Sequence, residues 1–172
     1  MISLISLIAC KETVYEERAP SETASFESAK ECKDCHPQQY DEWQQSMHAY
    51  AAKSPVFDAM ALKAYRDTSG EVQTFCTGCH SPFGELEGES GAITAKQRSE
   101  TALEGVSCDY CHTAVDHNGI IGNNHLLHGD KKIKYGPYEA ESSTEHSSQK
   151  GDFIQSPTLC GSCHDVFAYH CS

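Results

Sequence analysis

Cys32-Lys33-Asp34-Cys35-His36, Cys76-Thr77-Gly78-Cys79-His80, Cys108-Asp109-Tyr110-Cys111-His112 and Cys160-Gly161-Ser162-Cys163-His164 are four occurrences of one pattern, C-x-x-C-H. They use eight of the ten cysteines and four of the ten histidines in a chain of 172 residues. The segments between them share no further similarity, so the chain is not a solenoid but one unit punctuated four times. Three chemistries compete for paired cysteines. Two zinc sites would need the pairs to converge two by two. Disulfides suit an oxidising compartment. A single C-x-x-C is a thiol redox motif. None of them requires a histidine after every second cysteine, and four coincidences have a chance on the order of 10⁻⁵ against that template. C-x-x-C-H is the attachment signature of c-type haem. The thiols add to the two vinyl groups of one porphyrin, two intervening residues let a helical turn present both to one edge, and the histidine binds the iron. The expectation is four covalent haems with four irons. Cys32, Cys35, Cys76, Cys79, Cys108, Cys111, Cys160 and Cys163 anchor the rings, and His36, His80, His112 and His164 are the first axial ligands.

Composition agrees. The hydrophobic fraction is 38% and the aromatic fraction 9%, below the ~45–50% apolar content of an ordinary globular domain. Protein side chains alone make a thin core, and bulky prosthetic groups would fill it. The expected fold class is mainly α with extensive loops, with short helices packed around a haem core. The formal net charge of −12 argues against nucleic acid, whose binding rests on Lys and Arg meeting phosphate, and against an anionic membrane surface. It suits solubility and a basic redox partner.

Residues 1–10, MISLISLIAC, hold an apolar run too short for a bilayer span, which takes ~20 residues. They read as a signal segment whose Leu7-Ile8-Ala9-Cys10 resembles a lipobox, with Cys10 as the lipidated residue, although no Lys or Arg precedes the run. Residues 11–30 are polar and read as a flexible tether. Residues 31–172 form the haem domain. The signal and the haems together place the protein outside the cytoplasm, in the periplasm or as an outer-membrane or cell-surface lipoprotein. Membrane contact is expected only through that lipid.

Six histidines remain for second axial positions: His48, His117, His125, His128, His146 and His170. Residues 37–52 read as one helix opened by Pro37, with Tyr40, Trp43 and Met47 on one face. Side chains from one straight helix cannot reach both faces of a flat ring, so His48 serves a different haem from His36. His117, His125 and His128 cluster in a Gly/Asn-rich loop, and His146 sits in a polar one.

The runs CKDCHPQQYDEWQQSMHAYA, CTGCH, EGVSCDYCH and LCGSCHDV resemble the multihaem cytochrome c-552/c-554 family across residues 31–166. That resemblance implies a tetrahaem electron carrier. It implies that His48, after W-x-x-S-x, ligates the haem at Cys108 and Cys111. It also implies that a histidine downstream of the third motif ligates the haem at Cys160 and Cys163, where His146 and His125 are favoured over His117. The family's second haem is five-coordinate, and its first takes a histidine from a C-terminal region. Here the chain stops at Ser172, so the resemblance implies further chain and leaves the first haem to His170 or to no residue. The expected function is electron transfer between redox partner proteins. The alternative is a reductase or oxidase of a small nitrogen or sulfur compound at one open iron, for which the second motif is the candidate because no histidine lies between it and the third.

Overall fold

The computed structural model describes residues 26–119, 122–124 and 126–166. Cys10, His125 and His170 lie outside them. Among these residues eight α-helices follow in order: α1 (Ala29–Cys32), α2 (Pro37–Gln44), α3 (Met47–Tyr50), α4 (Pro55–Asp67), α5 (Phe75–His80), α6 (Pro82–Leu86), α7 (Cys108–His112) and α8 (Pro157–His164). Between α7 and α8 run β1 (Ala114–His117), β2 (Leu126–His128), β3 (Ile133–Gly136) and β4 (Ser147–Lys150). Proline at the first helical turn opens α2, α4, α6 and α8, where its missing N–H costs nothing. Ser28, Ser46, Ser54 and Ser156 cap α1, α3, α4 and α8 by accepting from backbone N–H groups. Helices this short do not stand alone in water, so tertiary contacts hold them.

The helix expected over residues 37–52 is broken at Gln45–Ser46. Ser46 is extended (ψ 162) and its hydroxyl accepts from the Ala49 N–H at 3.3 Å, the local bond by which serine competes with a continuous helix. The two pieces are then fixed to one residue. Trp43 Nε1 donates to the Val106 carbonyl at 2.8 Å, and the Val106 N–H donates to the His48 carbonyl at 3.1 Å.

β1 pairs antiparallel with β2, and β3 pairs parallel with β4. A parallel pair needs a crossover, and residues 137–146 supply it. Ser143 closes its end: its N–H donates to the His146 carbonyl at 3.0 Å, and its hydroxyl accepts from the His146 N–H at 3.2 Å.

Phe26, Phe83, Tyr110, Ala114 and Leu126 make the aromatic-centred core, with Phe26 and Phe83 stacked at 4.3 Å. Six of the ten buried apolar residues described are alanines, so protein atoms fill little interior volume. Phe26 also moves the domain boundary. Residues 26–30, expected as part of the tether, pack with the folded unit, because Phe26 and Ala29 are buried and α1 begins at Ala29.

Buried charges tie this N-terminal entry to the third motif. Glu104 accepts from the Ala29 N–H at 2.8 Å and from the Ser28 hydroxyl. Asp109 accepts from the Glu27 N–H at 2.8 Å and pairs with Lys134, which also reaches Glu27 at 3.0 Å. Burial opposes the Lys134 charge, but hydrogen bonds to Asp109 and Glu27 outweigh it and raise its pKa above the ordinary 10.5. The ion pair therefore contributes in full below pH 10.5 and is lost as pH rises through the raised value. Asp109→Asn is expected to cost about 2–3 kcal/mol at pH 7. The deficit should shrink above pH 10.5, and denaturant unfolding at pH 7 and pH 11 checks both statements.

Candidate functional site

Each C-x-x-C-H lies on or against a helical turn. The second, third and fourth end α5, α7 and α8. The first straddles the end of α1, where the His36 N–H donates to the Cys32 carbonyl at 2.8 Å. The residues between the cysteines divide the four turns into two kinds. Lys33 and Asp34 face solvent. Thr77, Gly78, Asp109, Tyr110 and Ser162 are buried, so the last three turns stand back to back inside the protein.

The eight motif cysteines form no disulfide with one another. They meet in pairs from different motifs. Cys32 is hydrogen-bonded to Cys108 and Cys79 to Cys163, while Cys111 lies beside Cys160. The shared hydrogen bond, with burial added, pushes the Cys32 and Cys163 thiols well above the usual range. Burial pushes Cys111 up to about 11. Among the described residues no group of three or more Cys, His, Asp or Glu is placed to hold a metal ion by itself.

The histidines fall into sets by their Nδ1 partners. His112 Nδ1 lies 2.7 Å from the Tyr135 carbonyl and His146 Nδ1 lies 3.2 Å from the Ser147 carbonyl. A carbonyl partner on Nδ1, as His112 and His146 have, fixes the Nδ1–H tautomer and leaves Nε2 for an iron. His80, whose pKa burial lowers, is also hydrogen-bonded to the backbone of Ala51. His117 is set the other way, because its Nδ1 accepts from the Gly119 N–H at 3.1 Å. His128 packs against Phe26 and Tyr110, and its Nδ1 lies 2.9 Å from Thr113 Oγ1. It is a histidine of the aromatic core.

Ring spacings bring four histidines together two by two. His36 and His146 have centroids 6.4 Å apart, and His48 and His164 have centroids 6.1 Å apart. Two imidazoles on opposite sides of one ion, each bound at ~2 Å, have centres roughly 6 Å apart. The donor set and its spacing fit a haem iron at each pair. So does the uncovered apolar surface. Met47 and Tyr138, on the segments that carry His48 and His146, are 74% and 79% exposed. The ring against His80 belongs instead to Phe57, stacked at 4.3 Å and 6°. That spacing is too short for an iron between the rings, and phenylalanine has no donor atom.

These ring positions differ from two expectations drawn from resemblance. His48 is set against His164 of the fourth motif, with ring centroids 6.1 Å apart, and not against His112 of the third. His146 is set against His36 of the first motif, not against the fourth, because the β3–β4 crossover carries it there. His125, the other favoured ligand, is outside the described residues. Sequence reading passed over Asn124, Gly105 and the backbone groups of Ala51 and Tyr135. A backbone group leaves no sequence signal. Gly105 did have one, as the glycine of the EGVSCDYCH run.

The family model for cytochrome c554 and c-prime matches residues 31–113. Cytochrome c-554 of Nitrosomonas europaea is 25% identical, in a match covering 95% of this chain and 68% of that protein. The crystal structure of a penta-haem cytochrome c552 from Thermochromatium tepidum superposes with a TM-score of 0.61 at 20% identity, covering 81% of this chain. The chain spans about half, 46%, of the length of that structure.

Proposed function

We propose that this chain is a multihaem cytochrome c, as its similarity to cytochrome c554 and c-554 supports, and that it transfers electrons with four covalent haems in an extracytoplasmic redox chain. Bound haem supplies one-electron exchange at iron. The chain's own residues do the rest. The eight motif cysteines would hold the rings, and His36, His80, His112 and His164 would each offer a nitrogen to an iron. His146 would join His36 at the first motif and His48 would join His164 at the fourth.

The observation that carries this reading is the pair of spacings, 6.4 Å for His36–His146 and 6.1 Å for His48–His164. An iron held on both sides has no position for substrate, which suits transfer over catalysis. The net charge of −12 suits basic donor and acceptor proteins. Among the described residues no helix is long and apolar enough to cross a membrane, and a lipid at Cys10 is the proposed attachment to the cell surface.

One observation favours a second reading. The ring packed on His80 is Phe57, so an open iron, if it reduces or oxidises a small nitrogen or sulfur compound, belongs at the second motif. Low-temperature EPR with magnetic circular dichroism of the holoprotein separates the two. Electron transfer predicts at least two low-spin bis-histidine haems and no turnover of such compounds. A high-spin haem that binds nitric oxide and sustains turnover would overturn it in favour of catalysis.

A further inference from the structure

Asn124 touches three of the four attachment turns. Its side-chain Oδ1 accepts from the Tyr110 hydroxyl, inside the third motif. Its Nδ2 donates to the carbonyl of Gly78, inside the second. Its backbone N–H donates to the Ser162 carbonyl, inside the fourth, at 2.6 Å. Asn124 is 5% exposed, and its three partners are the buried residues between the cysteines. The contact is close on the second turn, where a Cβ on Gly78 would lie 3.6 Å from Asn124 Nδ2.

The residue type follows from these demands. Asn124 has φ +58, a left-handed conformation that asparagine adopts more readily than most residues. An amide carries both a donor and an acceptor at its tip. Aspartate would offer no donor to Gly78, and glycine would keep the backbone while losing both side-chain bonds. A buried network in which every member is satisfied holds its parts in one arrangement.

We propose that Asn124 is a positioning residue that sets the second, third and fourth attachment turns relative to one another, and so the coupling between the haems they hold. The inference rests on the tetrahaem electron-transfer reading, since what a cytochrome's protein contributes is the placement and surroundings of its cofactors. The first turn lies outside this network. It is tied to the third through Glu27, Asp109 and Glu104 instead.

The test compares the wild-type holoprotein with Asn124→Gly and Tyr110→Phe by intact mass, thermal unfolding, redox titration and EPR. Asn124→Gly keeps the φ and the N–H to Ser162 but loses both side-chain bonds, and Tyr110→Phe removes one of them. The expected result is a full haem count in both variants, with an EPR spectrum and midpoint potentials displaced from wild type in Asn124→Gly. Tyr110→Phe should show a smaller change in the same direction. The low-spin signal of the first haem should not move. Wild-type spectra and potentials in both variants, even with a lower melting temperature, would make Asn124 merely structural and overturn the proposal. If Asn124→Gly fails to mature, Tyr110→Phe decides by the same criterion. A wild-type mass short of four haem increments would instead overturn the underlying reading, and this inference with it.

Discussion

Gly105→Ala is expected to lose about 3 kcal/mol of stability or more and to release His48 from the fourth motif. Gly105 has φ 69 and ψ −130, a region closed to residues with a Cβ. An added Cβ would also lie 2.3 Å from the His48 carbonyl oxygen. That oxygen is part of the backbone and accepts from the Val106 N–H at 3.1 Å, so a rotamer change cannot relieve the clash. Either the 105–107 segment or α3 has to move. The third motif starts at Cys108 and the His48 ring sits 6.1 Å from that of His164, so movement on either side disturbs an iron. Denaturant unfolding and EPR read the two effects together. A lower midpoint with a new high-spin signal is expected. A variant with both unchanged would contradict the role given to this glycine.

His146→Ala should act on one haem and spare the fold. The side chain sits on the exposed 137–146 crossover, with its N–H and carbonyl held by Ser143, and alanine keeps those backbone bonds. The expected result is conversion of one haem from low spin to high spin, with little change in unfolding midpoint, and recovery of the low-spin signal on adding imidazole. His117→Ala is the control. Its Nδ1 already accepts from the Gly119 N–H, so Nε2 carries the proton of the neutral ring, and the spectrum should stay that of wild type. If His146→Ala left every haem low spin, the first motif would take its second ligand from elsewhere, and the 6.4 Å spacing to His36 would carry no chemical meaning.

What the sequence disclosed follows from how local each signal is. C-x-x-C-H is complete within five residues, so all four motifs stand out in the sequence, and the structure places each on or against a helical turn. Pro37 correctly marked a helix start, but the stop at Gln45–Ser46 was missed. Ser46 reads equally well as a mid-helix residue until its hydroxyl is seen to cap α3. Residues 26–30 looked like tether because only Phe26 among them is large and apolar, and its stacking partner Phe83 is remote in sequence.

The pairing of histidines was the least legible feature. It depends on a parallel pair, β3 with β4, built from strands too short to show alternation. It depends also on a Trp43–Val106–His48 clamp that joins residues far apart in the chain. Asn124 carried no warning beyond its place in a Gly/Asn-rich loop. A loop of that composition signals turns, and nothing in it shows that one amide will reach three motifs.

The central claim is that all four motifs carry covalent haem, and intact mass of the mature protein after thiol alkylation tests it most directly. The account predicts four haem increments and no alkylated cysteine among Cys32, Cys35, Cys76, Cys79, Cys108, Cys111, Cys160 and Cys163. Fewer increments, with label on the cysteines of any one motif, would contradict it.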